Sequence, residues 1–437
     1  MTASPAPTKV RFSVLGMATL VAFLMYLDRI CLSWIIGSDS FKQEIHLTPG
    51  ELSWIKGAFF WAYALAQVPA GWLSDRYGAR VLMTVYIALW SLCTAATSLS
   101  AGFATLAIAR IGCGLTEAGA YPASSSILTR WSHINWRGMG SSLISTGGRI
   151  GGAVAPWLTA FVVIQFSSWR WAGWIYGAAG LVVAVGFWKV FRDHPSEHPL
   201  VNEAERSLLA EGREAAPVRK VPRSFPWRAA LTSRSLWYAS LYQLTTNVGW
   251  AFLVNSLSDY LKDVKHLDDQ TNGLISSKAL LIGIIGLPLG GMLTDYWTRK
   301  YGTYRGRMLP LVVTRVFAAA AYFGAMAADT PVQMFIAFGA LALFVDMGMP
   351  AMWALMQDIG GQHQAQLFGW ANMWGNFGAA MQPLLVGWIV THYDPYHTYQ
   401  PVMLFSALVL VVSIGLAFGI NAEKPVVDPA ASAMAEG

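Results

Sequence analysis

The sequence predicts an all-α membrane protein whose twelve transmembrane helices form two pseudo-symmetric bundles of six. Three observations carry that expectation: the composition, the number and length of the apolar runs, and a set of landmarks repeated 220 to 229 residues apart.

With 55% hydrophobic residues, 12% charged residues and 20 tryptophans in 437, the chain lies far from the soluble average in both apolar and charged content. Apolar runs of roughly 18 to 25 residues are long enough to cross a bilayer as helices. Twelve are read, near residues 12–37, 52–73, 81–100, 105–128, 139–164, 172–191, 236–261, 274–293, 308–328, 332–356, 367–390 and 402–420. An even number places both termini on one side, and Lys and Arg choose which. Nineteen lie in segments on the side of the termini and only four, Lys42, Arg170, Lys262 and Lys265, in the others, which predicts cytoplasmic termini. Most of the net charge of +6 is then topological, and no nucleic-acid partner is expected. Short loops, short termini and the lack of an Asn-x-Ser/Thr acceptor point to a bacterial inner membrane, and a monomer is expected.

Taken in order, the first run is interrupted by Asp28-Arg29 and followed by no small-residue cleavage site, so it is expected to remain as the first helix of the mature chain. Helix two closes on Pro69-Ala-Gly71-Trp-Leu73-Ser-Asp75, with Arg76 and Arg80 beyond it. Helix four carries Arg110 and Glu117 seven residues apart, which returns them to nearly one face, two turns or roughly 10 Å apart along the axis. Helix five holds Gly147-Gly148-Arg149-Ile-Gly151-Gly152, where glycines let helices approach closely and leave room for a polar head. Cys31, Cys93 and Cys113 all fall inside spans and read as small apolar fillers, with no extracellular disulfide framework. From Arg192 to Ser235 runs the longest polar stretch, a linker whose Glu and Arg spacing at 202–214 suits a short helix with a solvated face. The domain division is therefore 1–191, 192–235, 236–420 and a tail at 421–437.

The halves resemble each other. Pro69 to Asp75 ends helix two as Pro288-Leu-Gly-Gly291-Met-Leu293-Thr-Asp295 ends helix eight, and Glu117-Ala-Gly119-Ala-Tyr-Pro122 has a counterpart in Asp346-Met-Gly348-Met-Pro350. Six helices restore the direction of travel, so the repeat is parallel, as in transporters whose two bundles rock about a midplane site.

Charges inside the spans locate that site. Acids Asp28, Glu117 and Asp346 face bases Arg29, Lys56, Arg110, Arg149, Lys278 and Arg315, three against six. Each costs on the order of 2.5–3.5 kcal/mol at a helix centre, and an organic anion would offset the positive surplus. Arg29 and Arg110 are the leading carboxylate ligands, because guanidinium offers a planar fork at any relevant pH; the alternative is a permanent salt bridge to Asp28 or Glu117. Arg149 either binds a second anionic group or neutralises Glu117. Lys56 reads as a binder or as a snorkelling cation, and Lys278 and Arg315 as anchoring or packing residues. Proton coupling needs a carboxylate that titrates near neutrality, and Asp28 and Glu117 are the candidates. In the second half Asn247, Trp250, Trp353, Asn372, Trp374, Asn376 and Gln382 offer hydrogen bonds and stacking, with Asn372 and Asn376 on one face.

Gly71-Trp-Leu-Ser-Asp75-Arg76-Tyr-Gly78-Ala-Arg80 resembles the loop between helices two and three of the major facilitator superfamily. Tyr26-Leu-Asp28-Arg29, Gly57-Ala-Phe-Phe-Trp61-Ala-Tyr63-Ala-Leu-Ala-Gln67-Val-Pro69 and Arg110-Ile-Gly-Cys-Gly114-Leu-Thr-Glu117-Ala-Gly-Ala-Tyr-Pro122 resemble its anion:cation symporter branch, which includes bacterial sugar-acid transporters, sialin and the vesicular glutamate transporters. Helix seven lacks the Arg of the related organophosphate exchangers. The resemblance implies that Asp28 and Glu117 carry the coupled proton, that Arg110 engages the substrate carboxylate, that Tyr63 belongs to the site, and that Asp75, Arg76 and Arg80 act in gating. The expected activity is proton-coupled import of a small organic anion, with no cofactor or metal and no enzymatic chemistry. A transport-inactive sensor of the same fold and a proton-driven efflux transporter are the alternatives.

Overall fold

The computed structural model describes residues 6–211, 225–394 and 398–427, and among these all regular structure is helical. Arg213, Arg219, Lys220 and Arg223, counted above among the topological charges, and the end of the tail lie outside the described residues. Seven helical stretches meet by themselves the length and apolarity needed to cross a membrane, and the remaining spans complete the twelve-helix architecture.

The spans are α1 (Val10–Gly37), α2 (Pro49–Tyr77), α3 (Ala79–Thr97), α4 (Phe103–Glu117 and Ala120–Trp131), α5 (Arg137–Phe166), α6 (Arg170–Val190) and α7 (Arg234–Asn255). They continue with α8 (residues 269–301), α9 (303–326), α10 (Pro331–Met347 and Met349–Ile359), α11 (Gln364–Tyr393) and α12 (Gln400–Phe418). Thr48 and Glu51 form a reciprocal capping box that starts α2, the Glu51 N–H donating to Thr48 Oγ1 at 3.3 Å and the Thr48 N–H to Glu51 Oε2 at 2.8 Å. Between α2 and α3 the chain turns at Gly78, whose φ of 91° suits a residue without Cβ. Gly302, at φ 81°, does the same between α8 and α9.

Two spans read as continuous from the sequence are broken. α4 turns at Ala118–Gly119 and α10 at Gly348. Pro122 and Pro350 each lack the N–H that would bond the carbonyl four residues back, so both breaks follow from the paired motifs. At the second break Arg315, fully buried, donates from Nη1 to the carbonyls of Phe344 and Val345 at 3.2 and 3.1 Å and from Nε to Thr246 Oγ1 at 3.2 Å. The packing reading of Arg315 is the one its partners favour.

By contacts the chain forms two compact units. One comprises residues 1–136, 143–225 and 362–369, the other 137–142, 226–361 and 370–437. In the first, small residues let helices cross at backbone distance: a Cβ on Gly147 would fall 2.4 Å from the Thr19 carbonyl oxygen, and one on Gly114 would fall 2.5 Å from that of Phe59. In the second, α8 lies against α10 in the same way, a Cβ on Gly290 coming within 1.9 Å of the Met347 carbonyl oxygen.

The first part of the polar stretch after α6, residues 192–211, packs within the first unit. A short helix, Glu203–Ala210, occupies the segment where one was expected, but its face is not wholly solvated. Glu205 is fully buried and accepts from the Val10 and Arg11 N–H groups, both at 3.2 Å, from Arg11 Nη1 at 2.8 Å and from Thr8 Oγ1 at 2.5 Å. It thereby supplies the cap that α1 lacks in its own sequence. Asp193 does the same for α3, accepting from the Ala79 and Arg80 N–H groups at 2.8 and 3.3 Å and from Arg130 Nη1 at 2.9 Å. His198, buried beside the Trp131 ring with Nε2 at 3.2 Å from the Val190 carbonyl, is pushed below the ordinary imidazole pKa by its burial.

Candidate binding site

In the first unit the charges on α1 and α4 meet. Arg29 donates from Nε and Nη2 to Glu117 Oε2 at 3.1 and 2.9 Å, and the Glu117 side chain is fully buried. Rings from two helices box the guanidinium: its carbon lies 5.0 Å from the Tyr26 centroid, 5.1 Å from Phe59 and 4.5 Å from Tyr63. Desolvated contacts of this kind contribute about 2 kcal/mol or more each. Phe59 serves both arginines, since the Arg110 guanidinium carbon lies 4.5 Å from its centroid.

Arg110 is buried, and among the described residues its Nε makes no hydrogen bond and it has no ion-pair partner within 4 Å. Glu117 Oε1, likewise buried, makes no hydrogen bond among the described residues, and the buried Asp28 carboxylate has the Trp90 indole beside it. Although adjacent in sequence, Asp28 and Arg29 face different neighbours. Asp28 lies toward Trp90 and Thr94 of α3 and toward Arg110 and Glu117, whereas Arg29 faces α2 and pairs with Glu117. Of the two pairings open to Arg29, the structure adopts the one with Glu117.

Arg149 is half-buried on α5 in a turn pressed on the same aromatics, for a Cβ on Gly148 would fall 2.9 Å from the Tyr26 ring and 3.0 Å from Tyr121 Oη. Lys56 is exposed on α2 and Lys278 exposed on α8. Tyr63 is buried and lies roughly parallel to Phe59 at 5.9 Å.

The second unit holds the amide and indole residues. Asn247 donates from Nδ2 to the Gln243 carbonyl and Asn376 from Nδ2 to the Asn372 carbonyl, both at 2.8 Å. A Cβ on Gly375 would fall 2.9 Å from Asn247 Nδ2, so α7 and α11 are in contact there. Trp374 packs on Trp237, Trp370 and Phe377, and its buried Nε1 makes no hydrogen bond among the described residues. Trp250 is half-buried and Trp353 buried. Gln382 is committed to the end of α7, accepting from Asn255 Nδ2 at 3.0 Å and donating to Ser256 Oγ at 3.1 Å. Asp346 points at α8, with Oδ2 placed 2.8 Å from where a Gly283 Cβ would sit.

Asp75 caps α11, accepting from the Ala365 and Gln366 N–H groups at 3.1 and 2.9 Å and from Ser126 Oγ at 3.3 Å. Asp295 caps α5 in the second unit, accepting from the Gly138 and Met139 N–H groups at 2.9 and 2.8 Å. Arg76 lies over the Trp72 and Tyr77 rings, and Arg80 donates to the Trp188 carbonyl from Nε and Nη2 at 3.2 and 2.9 Å. Beside Asp295, Arg307 is fully buried and donates to Asp358 at 2.7 Å, and Arg137 bonds the same carboxylate. Sequence reading counted Arg137 and Arg307 only as topological charges. The signal that singles them out is Asp358, an acid just past a span on the side of the basic loops.

Twelve helices in two similar halves, with charged groups buried at mid-span, define a polytopic membrane transporter rather than an enzyme. Residues 18–383 match the family model for the Major Facilitator Superfamily, and the chain belongs to that family. It is 29% identical over 405 residues to a probable galactarate/D-glucarate transporter of Escherichia coli, covering 88% of each chain. It is 26% identical over 421 residues to a probable sulfoacetate transporter of Cupriavidus necator, covering 94% of each, and 26% identical over 435 residues to a hexuronate transporter of Bacillus subtilis, covering 96% of this chain and 99% of that one. Among solved structures its fold is similar to that of a proton:xylose symporter, with a TM-score of 0.70 at 14% identity over 95% of this chain and 98% of the other.

Proposed function

We propose that the protein is a secondary active transporter of the bacterial inner membrane, both termini cytoplasmic, importing a sugar acid such as a hexonate or hexuronate, or a related carboxylate, together with protons by alternating access. The observation that carries this reading is Arg110, a buried guanidinium with no carboxylate within ion-pair distance among the described residues, on the same phenylalanine as the Arg29–Glu117 pair. A buried cation is costly without a counter-charge, and a carboxylate matches its fork. Relatives named for galactarate, glucarate and hexuronate transport support a polyhydroxylated acid as the cargo.

The pair gives the coupling its logic. With Glu117 ionised, Arg29 is occupied; a proton on Glu117 removes the ion pair and frees Arg29 for the substrate carboxylate beside Arg110. When substrate leaves, Arg29 returns to Glu117 and the proton is released. Asp28 carries a second titratable site. Arg149 binds a further anionic or hydroxyl group, Tyr63 and Lys56 complete the first-unit contacts, and Asn247, Trp250, Asn372 and Asn376 take the hydroxyls and carbon chain. Asp75, Arg76 and Arg80 act in gating, with Asp75 holding α11 by its amino-terminal dipole. Two bundles, 1–191 and 236–420, joined by the 192–235 linker are the moving parts, and the chain works as a monomer.

The test is a thermal-shift screen of purified protein against D-glucarate, galactarate, D-galactonate, D-glucuronate and sulfoacetate, followed by uptake of each stabilising compound into proteoliposomes under an imposed pH gradient. Accumulation driven by an acidic exterior is expected. Binding without accumulation would favour a sensor, and accumulation indifferent to pH would remove the proton.

A further inference from the structure

Within the first unit α3 starts and α6 ends at one boundary, and the two helices pack at backbone distance, since a Cβ on Gly177 would fall 2.7 Å from the Ser91 carbonyl oxygen. At that boundary two guanidiniums converge on a single atom. Arg80 donates to the Trp188 carbonyl from Nη2 at 2.9 Å, and Arg192 donates to the same oxygen from Nη1 at 3.2 Å. Arg192 Nη1 also reaches the Lys189 and Phe191 carbonyls at 3.0 and 2.8 Å, and the exposed side chain of Lys189 adds a third cation.

Helix capping accounts for only part of this cluster. The free carbonyls at the end of α6 carry the negative pole of the helix, equivalent to roughly half an elementary charge, which three cations exceed several-fold. The acids around Arg80 are Asp193 and Glu197. Asp193 is already committed, accepting from the Ala79 and Arg80 N–H groups and from Arg130 Nη1, and Glu197 is exposed. Among the described residues no carboxylate forms an ion pair within 4 Å with Arg80, Lys189 or Arg192. Arg80 keeps Nη1 and Arg192 keeps Nε and Nη2 for a further acceptor. Next to the cations both helices turn apolar side chains outward, Val81 and Val85 on α3 and Val182 and Val185 on α6, with exposed Trp188 at the boundary where spanning chains place tryptophan.

We propose that this end of the α3–α6 seam binds an anionic phospholipid, its phosphate diester taking the spare N–H groups of Arg80 and Arg192 with Lys189 beside it, and its acyl chains lying along the outward valines. A phosphate suits the pair because two guanidinium forks can each take an oxygen of one tetrahedral group. A lipid suits the place because the cations stand at the head of an apolar face, and basic clusters at the boundary of a span attract anionic headgroups. The site shares no residue with the Arg29–Glu117 pair or Arg110, and it depends neither on the cargo nor on the proton.

In the experiment, the full-length protein in detergent is titrated with phosphatidylglycerol and, at matched chain length, with phosphatidylcholine, and bound lipid is counted by native mass spectrometry. Wild type should bind its first phosphatidylglycerol about tenfold more tightly than phosphatidylcholine. Arg192→Gln and Lys189→Glu should each weaken phosphatidylglycerol about fivefold or more and leave phosphatidylcholine within about twofold. Lys300→Glu, a charge reversal at the exposed end of α8, should leave both lipids within about twofold of wild type. Equal affinity of wild type for the two lipids overturns the proposal, and so does weakening by Lys300→Glu as large as that by Lys189→Glu, since net charge would then suffice. Should Arg192→Gln unfold because a cap of α6 is lost, Lys189→Glu decides: its side chain is exposed and makes no hydrogen bond among the described residues, and unaltered phosphatidylglycerol binding in it sinks the site. Inorganic phosphate at about 10 mM should not raise the melting temperature; a rise matching that given by phosphatidylglycerol would assign the cluster to the free ion and overturn the lipid.

Discussion

Replacing Glu117 by Gln tests the exchange of partners at Arg29. In the structure one carboxylate oxygen takes two N–H groups of a guanidinium whose remaining surroundings are three aromatic rings. Hydrogen bonds to charged groups are worth about 1.5–3 kcal/mol each, and an ionised Glu117 withholds the equivalent of at least one of them from a substrate carboxylate. Gln is neutral at every pH and competes weakly. Glu117→Gln is therefore expected to bind its sugar acid roughly 10- to 150-fold more tightly than wild type at a pH where Glu117 is ionised, 1.4 kcal/mol being tenfold. The wild-type advantage of low pH should disappear in the variant. Isothermal titration of detergent-purified protein between pH 5.5 and 8.5 reads both effects, and a counterflow assay confirms a working fold. The variant should retain counterflow and lose pH-driven accumulation. A wild-type pH slope in Glu117→Gln, or affinity no higher than wild type at the alkaline end, would refute the partner exchange.

Arg110→Lys keeps the charge but loses the planar fork, so substrate affinity should fall at least about tenfold with the thermal stability of the ligand-free protein little changed, read by titration and thermal shift together. Glu205→Ala removes the acceptor that caps α1 and should cost about 1–2 kcal/mol, seen as a melting temperature lower by a few degrees with unaltered substrate affinity. His198 is buried and held neutral, so below its ordinary pKa of 6.5 the unfolded chain takes up a proton that the folded chain refuses, and stability drains away as pH falls from 6.5 toward the lowered folded value. His198→Asn should flatten the decline in melting temperature between pH 6.5 and 5; an unchanged decline would clear this residue.

The architecture was largely legible in the sequence because crossing a bilayer imposes long apolar runs and leaves its charge bias in the loops. The two motif pairs also marked real joints, since Pro122 and Pro350 break α4 and α10 where the repeat places them. That these were breaks was not legible, because an apolar run shows no interruption when the missing hydrogen bond is internal. Arg29, Glu117, Asp28 and Arg110 could be nominated from the cost of burying charge, yet their pairing could not. Which face of α1 meets α4 is set by helix rotation and by close-packing glycines such as Gly114 and Gly147, and no local pattern encodes it. For the same reason Glu205 looked like one charge of a solvated face, although its partners, the free N–H groups of α1, lie almost 200 residues away.

In the proposed mechanism, buried guanidinium and carboxylate groups of the first unit exchange partners as an anion and a proton travel together. Substrate-triggered acidification is its most direct measure: proteoliposomes holding a pH-sensitive dye, with no imposed gradient and potassium and valinomycin clamping the voltage, receive an external pulse of the transported sugar acid. The interior should acidify in wild type, and not in Glu117→Gln at equal substrate entry. Uptake of the acid by wild-type vesicles at constant internal pH would contradict it.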